Sequence, residues 1–195
     1  MTRKTLIIFV KEPVAGTVKT RLGHGIGLTA AAWWYRHQTS RLLRRLGRDP
    51  RWQTVLAIAP DTAIGSRTWP PGLIRIRQGS GDIGQRMARA LGATGPGPVV
   101  LIGSDIPAIS PADIAEAFGR LGGADVVFGP ASDGGFWLVG VNRRPLPLGM
   151  FDGVRWSGEH ALGDVLGNLA RARVALVRTL DDVDTAEDLV ASQIG

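Results

Sequence analysis

Residues 6 to 22, LIIFVKEPVAGTVKTRL, pass from an apolar run straight into a turn marked by Pro13 and Gly16 and charged by Lys11, Lys19 and Arg21. Cations on a glycine-containing turn behind a short apolar strand are one way that α/β proteins hold phosphate, because exposed backbone N–H groups and side-chain charge meet there. Arginine can make paired hydrogen bonds to phosphate and lysine acts as a point charge, so Lys11, Gly16, Lys19, Thr20 and Arg21 are the first candidates to grip a polyphosphate. The bland alternative is a solvated basic turn. Neither common phosphate fingerprint is present: Thr17 stands where a Walker A loop needs Lys after Gly16, and the G-x-G-x-x-G spacing does not occur.

Downstream the chemistry turns acidic. Asp105, in VVLIGSDIPAIS, follows a buried-looking strand, and a carboxylate there suits Mg²⁺, which takes one or two carboxylates together with phosphate oxygens and water. Alone it would read as a turn or cap residue. The segment LDDVDTAEDL adds Asp184 at another strand end, while Glu187 and Asp188 read as the acidic first turn of a helix. A second glycine-punctuated loop, QGSGDIGQRM, offers Gln78, Asp82 and Arg86 to a base or ribose; it reads equally as a strand-to-helix connection capped by Asp82. The absence of cysteine excludes disulfides, thiolate metal sites and cysteine nucleophiles. His24, His37 and His160 lack metal-ligand spacing, and no serine occupies a G-x-S-x-G elbow.

The elements that must position these residues alternate. Apolar runs at Leu6–Val10, Thr54–Ala59, Ile74–Arg77, Val99–Ile102, Val126–Gly129, Phe136–Val141 and Val174–Thr179 read as strands. Thr29–Leu46, Ile83–Leu91, Pro111–Leu121, Glu159–Ala170 and Thr185–Ser192 read as helices, with Ser110 a cap before Pro111. Such alternation predicts βαβ crossovers and a mainly parallel sheet covered on both faces, with ligands beyond the carboxyl ends of its strands. The stretch DVVFGPASDGGFWLVGV, two strand-like runs joined at Asp133-Gly134-Gly135, predicts a departure from that winding.

The 195 residues fit one domain, 1–195, and 44% hydrophobic against 21% charged residues is a globular composition. A net charge of +6 suits an anionic ligand. The basic helix carrying Trp33, Trp34, Arg41, Arg44 and Arg45 also has an apolar stripe of Leu42, Leu43 and Leu46, so its arginines read as a solvated face, with no nucleic acid as partner. The first apolar run is too short for a signal-peptide core or a membrane span, and a cytoplasmic protein with no membrane partner is expected.

In this order and spacing, KEPVAGTVKTRL, GDIGQRM, IGSDIP, GPASDGGFWLVG and DVDTAEDL resemble a bacterial family of nucleotide-diphospho-sugar transferase-like proteins. Some of its members are labelled glycosyltransferases associated with arsenosugar biosynthesis. The family is similar to A-type glycosyltransferases and to the molybdenum-cofactor and 2-phospholactate guanylyltransferases. The resemblance implies a Rossmann-like three-layer sandwich with a mixed, mainly parallel sheet and the nucleotide at the amino-terminal half. It implies Lys19 and Arg21 at the phosphates, Asp105 at a metal, Asp184 as a second ligand and Asp133 facing the acceptor. Three positions depart from the pattern: Ala15-Gly16 replaces Pro-Gly, Phe136 replaces Tyr, and Ser104-Asp105 stands without a D-x-D.

These readings converge on a transferase dependent on Mg²⁺ or Mn²⁺, most simply nucleotidyl transfer from an NTP to a phosphorylated or carboxylate acceptor with loss of pyrophosphate. Several cations on the departing phosphates are what that reaction needs. Lys19, Arg21, Asp105 and Asp133 form the expected catalytic set. The alternatives are glycosyl transfer from an NDP-sugar, with Asp133 as base, and a non-catalytic nucleotide- or RNA-binding module.

Overall fold

The computed structural model describes residues 3–142, 147 and 149–194. Strands β1 (Thr5–Lys11), β2 (Gln53–Ala59), β3 (Ile74–Arg77), β4 (Val99–Ile102), β5 (Val126–Pro130), β6 (Phe136–Val141) and β7 (Val174–Leu176) form a sheet in the order β3-β2-β1-β4-β6-β5-β7. β1 pairs in parallel with β2 and β4, β2 with β3, and β5 with β7. β6 runs antiparallel to both β4 and β5. Six helices pack around the sheet: α1 (Thr20–Ile26), α2 (Leu28–Leu46), α3 (Ile83–Ala93), α4 (Pro111–Arg120), α5 (Ala161–Asn168) and α6 (Ala186–Ile194).

Strand alternation divides the core in two. Leu6, Ile8, Val10, Val100 and Ile102 point to one face, where Leu42, Leu43 and Leu46 of α2 and Ile114, Ala117 and Phe118 of α4 cover them. Ile7, Val99, Leu101, Phe128 and Val139 point to the other, under Met87, Ala90 and Leu91 of α3 and Val165 of α5. With both faces buried, the strands read as continuous apolar runs, which is why the sequence announces them. The arginines of α2 face solvent, as the stripe of leucines requires.

The helix starts follow local chemistry. Ser110 accepts from the Asp113 N–H while Asp113 accepts from the Ser110 N–H, and Pro111 occupies the first helical position. The expected break in winding is the β5–β6 hairpin. Two expectations of extent differ. β7 ends at Leu176 rather than Thr179; beyond it the chain stays tied to β5 only by the Val177 and Leu180 N–H groups, on Phe128 and Pro130 carbonyls. Helix α1 was hidden by Gly23 and Gly25, which depress helix propensity in so short a segment.

The direction of β6 decides what meets at the functional edge. The carboxyl ends of β1, β3 and β4 lie there, together with the start of β6: Phe136 is level with Pro130, and Leu138 with Ile102. The β5–β6 turn therefore joins the loops after β1, β3 and β4.

Candidate functional site

The loop after β1 folds over itself before delivering Lys19. Thr17 hydroxyl and N–H both donate to the Val14 carbonyl, and Val18 is buried against Ala32 and Tyr35 of α2. Gly16 takes φ +80°, a conformation glycine adopts without cost. Lys19, the residue before α1, is held at φ 45° and ψ 48°, a left-handed conformation that costs a side-chain-bearing residue about 1–2 kcal/mol. That cost is met by what its side chain reaches. The Lys19 ammonium lies 2.6 Å from Asp105 Oδ2, 2.9 Å from Asp182 Oδ2 and 2.6 Å from Asp184 Oδ1, with only 7% of the side chain exposed.

The carboxylates arrive on two segments. Asp105 follows β4. Asp182 and Asp184 lie on the extended chain beyond β7, where Val183 is buried beside Leu22 and Ala31 and its N–H donates to the Asp105 carbonyl. In extended chain alternate residues share a side, so burying Val183 turns both neighbours toward Lys19. The remaining acids of the segment are occupied with local structure. Asp181 accepts from the Ser132 N–H and hydroxyl, and Asp188 accepts from the N–H groups of Asp184 and Thr185.

Oxygens of Asp105, Asp182 and Asp184 lie within 4.8 Å of one another, close enough to share a single cation. Burial works against the Lys19 ammonium, but Asp105 and Asp182 outweigh it and hold the lysine above its ordinary pKa. Burial, reinforced by Asp105, pushes Asp182 up to about 6. Asp184 is also penalised by burial, yet its hydrogen bond to Lys19 leaves it below the usual carboxylate range. Arg21 is exposed and reaches only Asp184, at 3.3 Å.

Tyr35 locks the two strand ends together. Its buried hydroxyl accepts from the Lys11 N–H at 2.9 Å and pairs with Ser104 Oγ at 2.8 Å, joining α2, the end of β1 and the residue beside Asp105. Lys11 Nζ reaches the Thr17 carbonyl at 3.5 Å and borders the cleft.

The glycine loop after β3 is braced from below. Gln78 is buried, and its amide donates to the carbonyls of Val10 and Ala57 while its oxygen accepts from Arg86. Its side chain joins β1 to β2, with both amide hydrogens committed to those carbonyls. Asp82 accepts from the Gln85 N–H and caps α3, the structural role among its two expected ones. Arg89 donates to the carbonyls of Gln78 and Ser80, and the Gly79 N–H donates to Asp61. Arg86 and Gln78 both border the cleft, and Arg86 Nε is buried without a hydrogen-bond partner.

The cleft over this edge has three confluent parts. One, of about 620 Å³, lies among Lys11, Gly79, Ser80, Gly81 and Arg86. A middle part of about 350 Å³ passes over Tyr35, Ser104 and Asp105. The third, of about 230 Å³, lies beyond Asp105 and Asp182 against Asp133, Phe136 and Trp156. Asp133 Oδ1 accepts from the Gly135 N–H at 2.8 Å, which sets the turn. Gly134, at φ +84°, lies so close to the backbone of Glu159 that a Cβ would come within 2.3 Å of its carbonyl oxygen.

Lys19, Asp105 and Asp184 thus meet, with Arg21 at their rim, while Lys11 and Arg86 lie to one side and Asp133 to the other. Asp182 and Tyr35 were missed from sequence. The first had a signal, the alternation of Asp182-Val183-Asp184 around an apolar residue; the second had none, since nothing local to Tyr35 points to Ser104.

A family model described as "Uncharacterized protein conserved in bacteria (DUF2064)" matches residues 42–158. No curated protein matches the sequence. Among solved structures, the "putative nucleotide-diphospho-sugar transferase" of Desulfovibrio desulfuricans G20 is 32% identical over 97% of this chain and 85% of its own, with a TM-score of 0.89. At 13% identity, the 4-diphosphocytidyl-2C-methyl-D-erythritol synthase of Anaerococcus prevotii DSM 20548 covers 98% of this chain and 97% of its own with a TM-score of 0.63. Rv0371C of Mycobacterium tuberculosis H37Rv, solved in complex with manganese, is 18% identical over 100% and 99%, with a TM-score of 0.58. The last two likenesses establish the fold, which is that of the nucleotide-diphospho-sugar transferases.

Proposed function

The chain belongs to the DUF2064 family, and from that membership we propose a cytoplasmic, metal-dependent transferase acting on a nucleotide donor, with nucleotidyl transfer from an NTP as its reaction. One observation carries the reading: Lys19 and three carboxylates from distant parts of the chain meet at the carboxyl edge of the sheet, between a hollow lined by Lys11, Arg86, Glu12 and Asp61 and a hollow lined by Asp133 and aromatic rings. The name of the 32% identical relative supports a nucleotide-linked donor. The manganese complex of the Mycobacterium tuberculosis protein supports a divalent cation as cofactor.

Asp105, Asp182 and Asp184 would hold the metal, because an all-oxygen carboxylate set suits hard cations such as Mg²⁺ and Mn²⁺. When bound, such a cation offsets charge on the phosphates of the donor. The expected pair of ligands, Asp105 and Asp184, thereby becomes three. Lys11 and Arg86 bind and orient the phosphates, and Arg21 adds charge from the rim. Lys19 offsets part of the charge of the three carboxylates. The acceptor oxygen attacks the α-phosphorus in line, forming one P–O bond as the bond to the β-phosphate oxygen breaks and pyrophosphate departs; where that oxygen starts as a hydroxyl, its proton passes to the Asp133 carboxylate.

A second reading, sugar transfer from an NDP-sugar, has the relative's name in its favour. There Asp133 takes the proton of the acceptor hydroxyl and NDP leaves. Product identity separates the two. Incubation with each NTP and NDP-sugar, with Mg²⁺ or Mn²⁺, is expected to release pyrophosphate from one NTP; release of NDP from a sugar nucleotide gives the second reading, and the absence of both, with no metal-linked rise in Tm, sinks the proposal.

A further inference from the structure

The far hollow differs chemically from the rest of the cleft. Its walls are apolar and aromatic: Ile83 and Met87 from α3, Phe136 from the start of β6, and Trp156. These rings are fixed by one another. Phe136 meets Trp156 edge-on at 6.2 Å, and Phe151 tilts against Trp156 at 5.9 Å from behind. Gly84 lets the indole lie against α3, where a Cβ would come within 2.6 Å of its Cζ2. A rigid aromatic wall is a surface prepared for a flat or apolar partner rather than a gap left by loose packing.

The charged residues bordering this hollow are Asp105, Asp133 and Asp182, and no Lys, Arg or His lies among its described lining. The neighbouring Arg155 is turned away and paired with Asp164, Nε to Oδ2 at 2.9 Å and Nη2 to Oδ1 at 2.7 Å. Asp133 holds its turn through Oδ1 and presents the rest of its carboxylate to the hollow without a cationic partner among the described residues. Asp105 and Asp182 share the Lys19 ammonium, so Asp133 is the carboxylate that an acceptor carrying phosphate or carboxylate would meet without a cation beside it in the lining. An uncharged acceptor pays no such penalty, and a cationic one gains from both the carboxylate and the faces of the rings.

We infer that the far hollow selects an acceptor with an apolar face and no negative charge, a neutral or cationic hydroxyl compound, and rejects phosphorylated and carboxylate acceptors. This rests on the nucleotide-donor reading for the word acceptor, and it replaces the anionic acceptor expected from sequence. The selectivity itself is a property of the hollow and can be read without a nucleotide.

Three probes of similar shape and different charge decide it: benzyltrimethylammonium, benzyl alcohol and benzoate, titrated into the intact protein and followed by NMR. The ammonium and the alcohol are expected to bind, the ammonium about tenfold more tightly than benzoate. Asp133→Asn, which keeps an oxygen for the Gly135 N–H, should remove the advantage of the ammonium over the alcohol, and Trp156→Phe should weaken both while leaving their order. Asp133→Lys should reverse the order in favour of benzoate. Binding of benzoate as tight as that of the ammonium, binding of none of the three, or an order unmoved in Asp133→Asn overturns the inference. A thermal-shift series with NTPs and Mg²⁺ on the same protein reports separately on the donor, so the two readings fail independently.

Discussion

On the β1 and β3 side, the cleft is made of glycine turns and charged side chains, with Lys11 and Arg86 bordering a hollow that Glu12 and Asp61 also line. On the β5 and β6 side, it is made of aromatic rings and aspartates, with Arg155 paired to Asp164. Between them, Lys19 bridges the three carboxylates. The contrast shows how a single sheet edge can hold two unlike groups without confusing them: one end offers Lys11, Arg86 and glycine turns beside its two acids, the other offers rings and acids without a cation in its lining. The reversal of β6 is what allows it, because it brings the hairpin turn with Asp133 to an edge otherwise reserved for strand ends.

The strongest blow to this arrangement is Lys19→Ala, which leaves three carboxylates facing one another. It should reduce product formation by about 10²–10³-fold and lower Tm, and Mg²⁺ should then raise Tm more than it does in the unaltered protein, since the ammonium no longer competes for the same oxygens. A variant whose Tm ignores Mg²⁺ removes the cation from the middle of the cleft. Next comes Asp105→Asn, expected to lower kcat by about 10²-fold with a smaller change in nucleotide KM; an unchanged kcat in steady-state assays would separate Asp105 from the reaction.

Arg86→Ala tests the basic end alone. It should weaken nucleotide binding by about tenfold, the worth of one charge-assisted hydrogen bond, while leaving benzyltrimethylammonium binding at the far end untouched. Calorimetry that finds both ligands affected equally would erase the distinction between the two ends.

The smallest effect concerns what holds the acidic segment in place. Arg178, just before that segment, donates to Asp113 at 2.6 and 2.8 Å and to the Ala108 carbonyl at 3.1 Å. Burial raises the Asp113 carboxyl, but the hydrogen bonds from Arg178 and Ser110 outweigh it and hold it below the usual range. A depressed pKa stabilises the fold above the unfolded value, near ~4, and that stabilisation is lost as pH falls through the folded value. Because Arg178 is half exposed, Arg178→Ala should cost only about 1 kcal/mol at neutral pH. Denaturation measured against pH should show the gap between variant and parent closing below pH ~4; a gap that widens there contradicts the assignment.

Much of the fold was legible because its causes are local. Strands buried on both faces must be apolar throughout, and Ser110-Pro111 must begin a helix wherever it is placed. Lys19 was legible as a candidate because it stands on a glycine-containing basic turn behind β1, and Asp105 and Asp184 because carboxylates shortly after strand-like runs suit a cation. Gln78 was not, since the same amide that suits a base also suits two backbone carbonyls, and only packing chooses between them. Asp182 was visible in a pattern of alternation but inseparable from Asp181, which serves the β5–β6 turn instead.

The sequence by itself determined the alternating elements, the caps, the basic turn and the acidic tail, since each follows from the chemistry of neighbouring residues. Only the tertiary structure decided that residue 19 would meet residues 105, 182 and 184, and that the aromatic wall would stand opposite the cations. Those meetings depend on strand order and on the direction of β6, which are set by the collective burial of two apolar faces and are written in no single stretch of the chain.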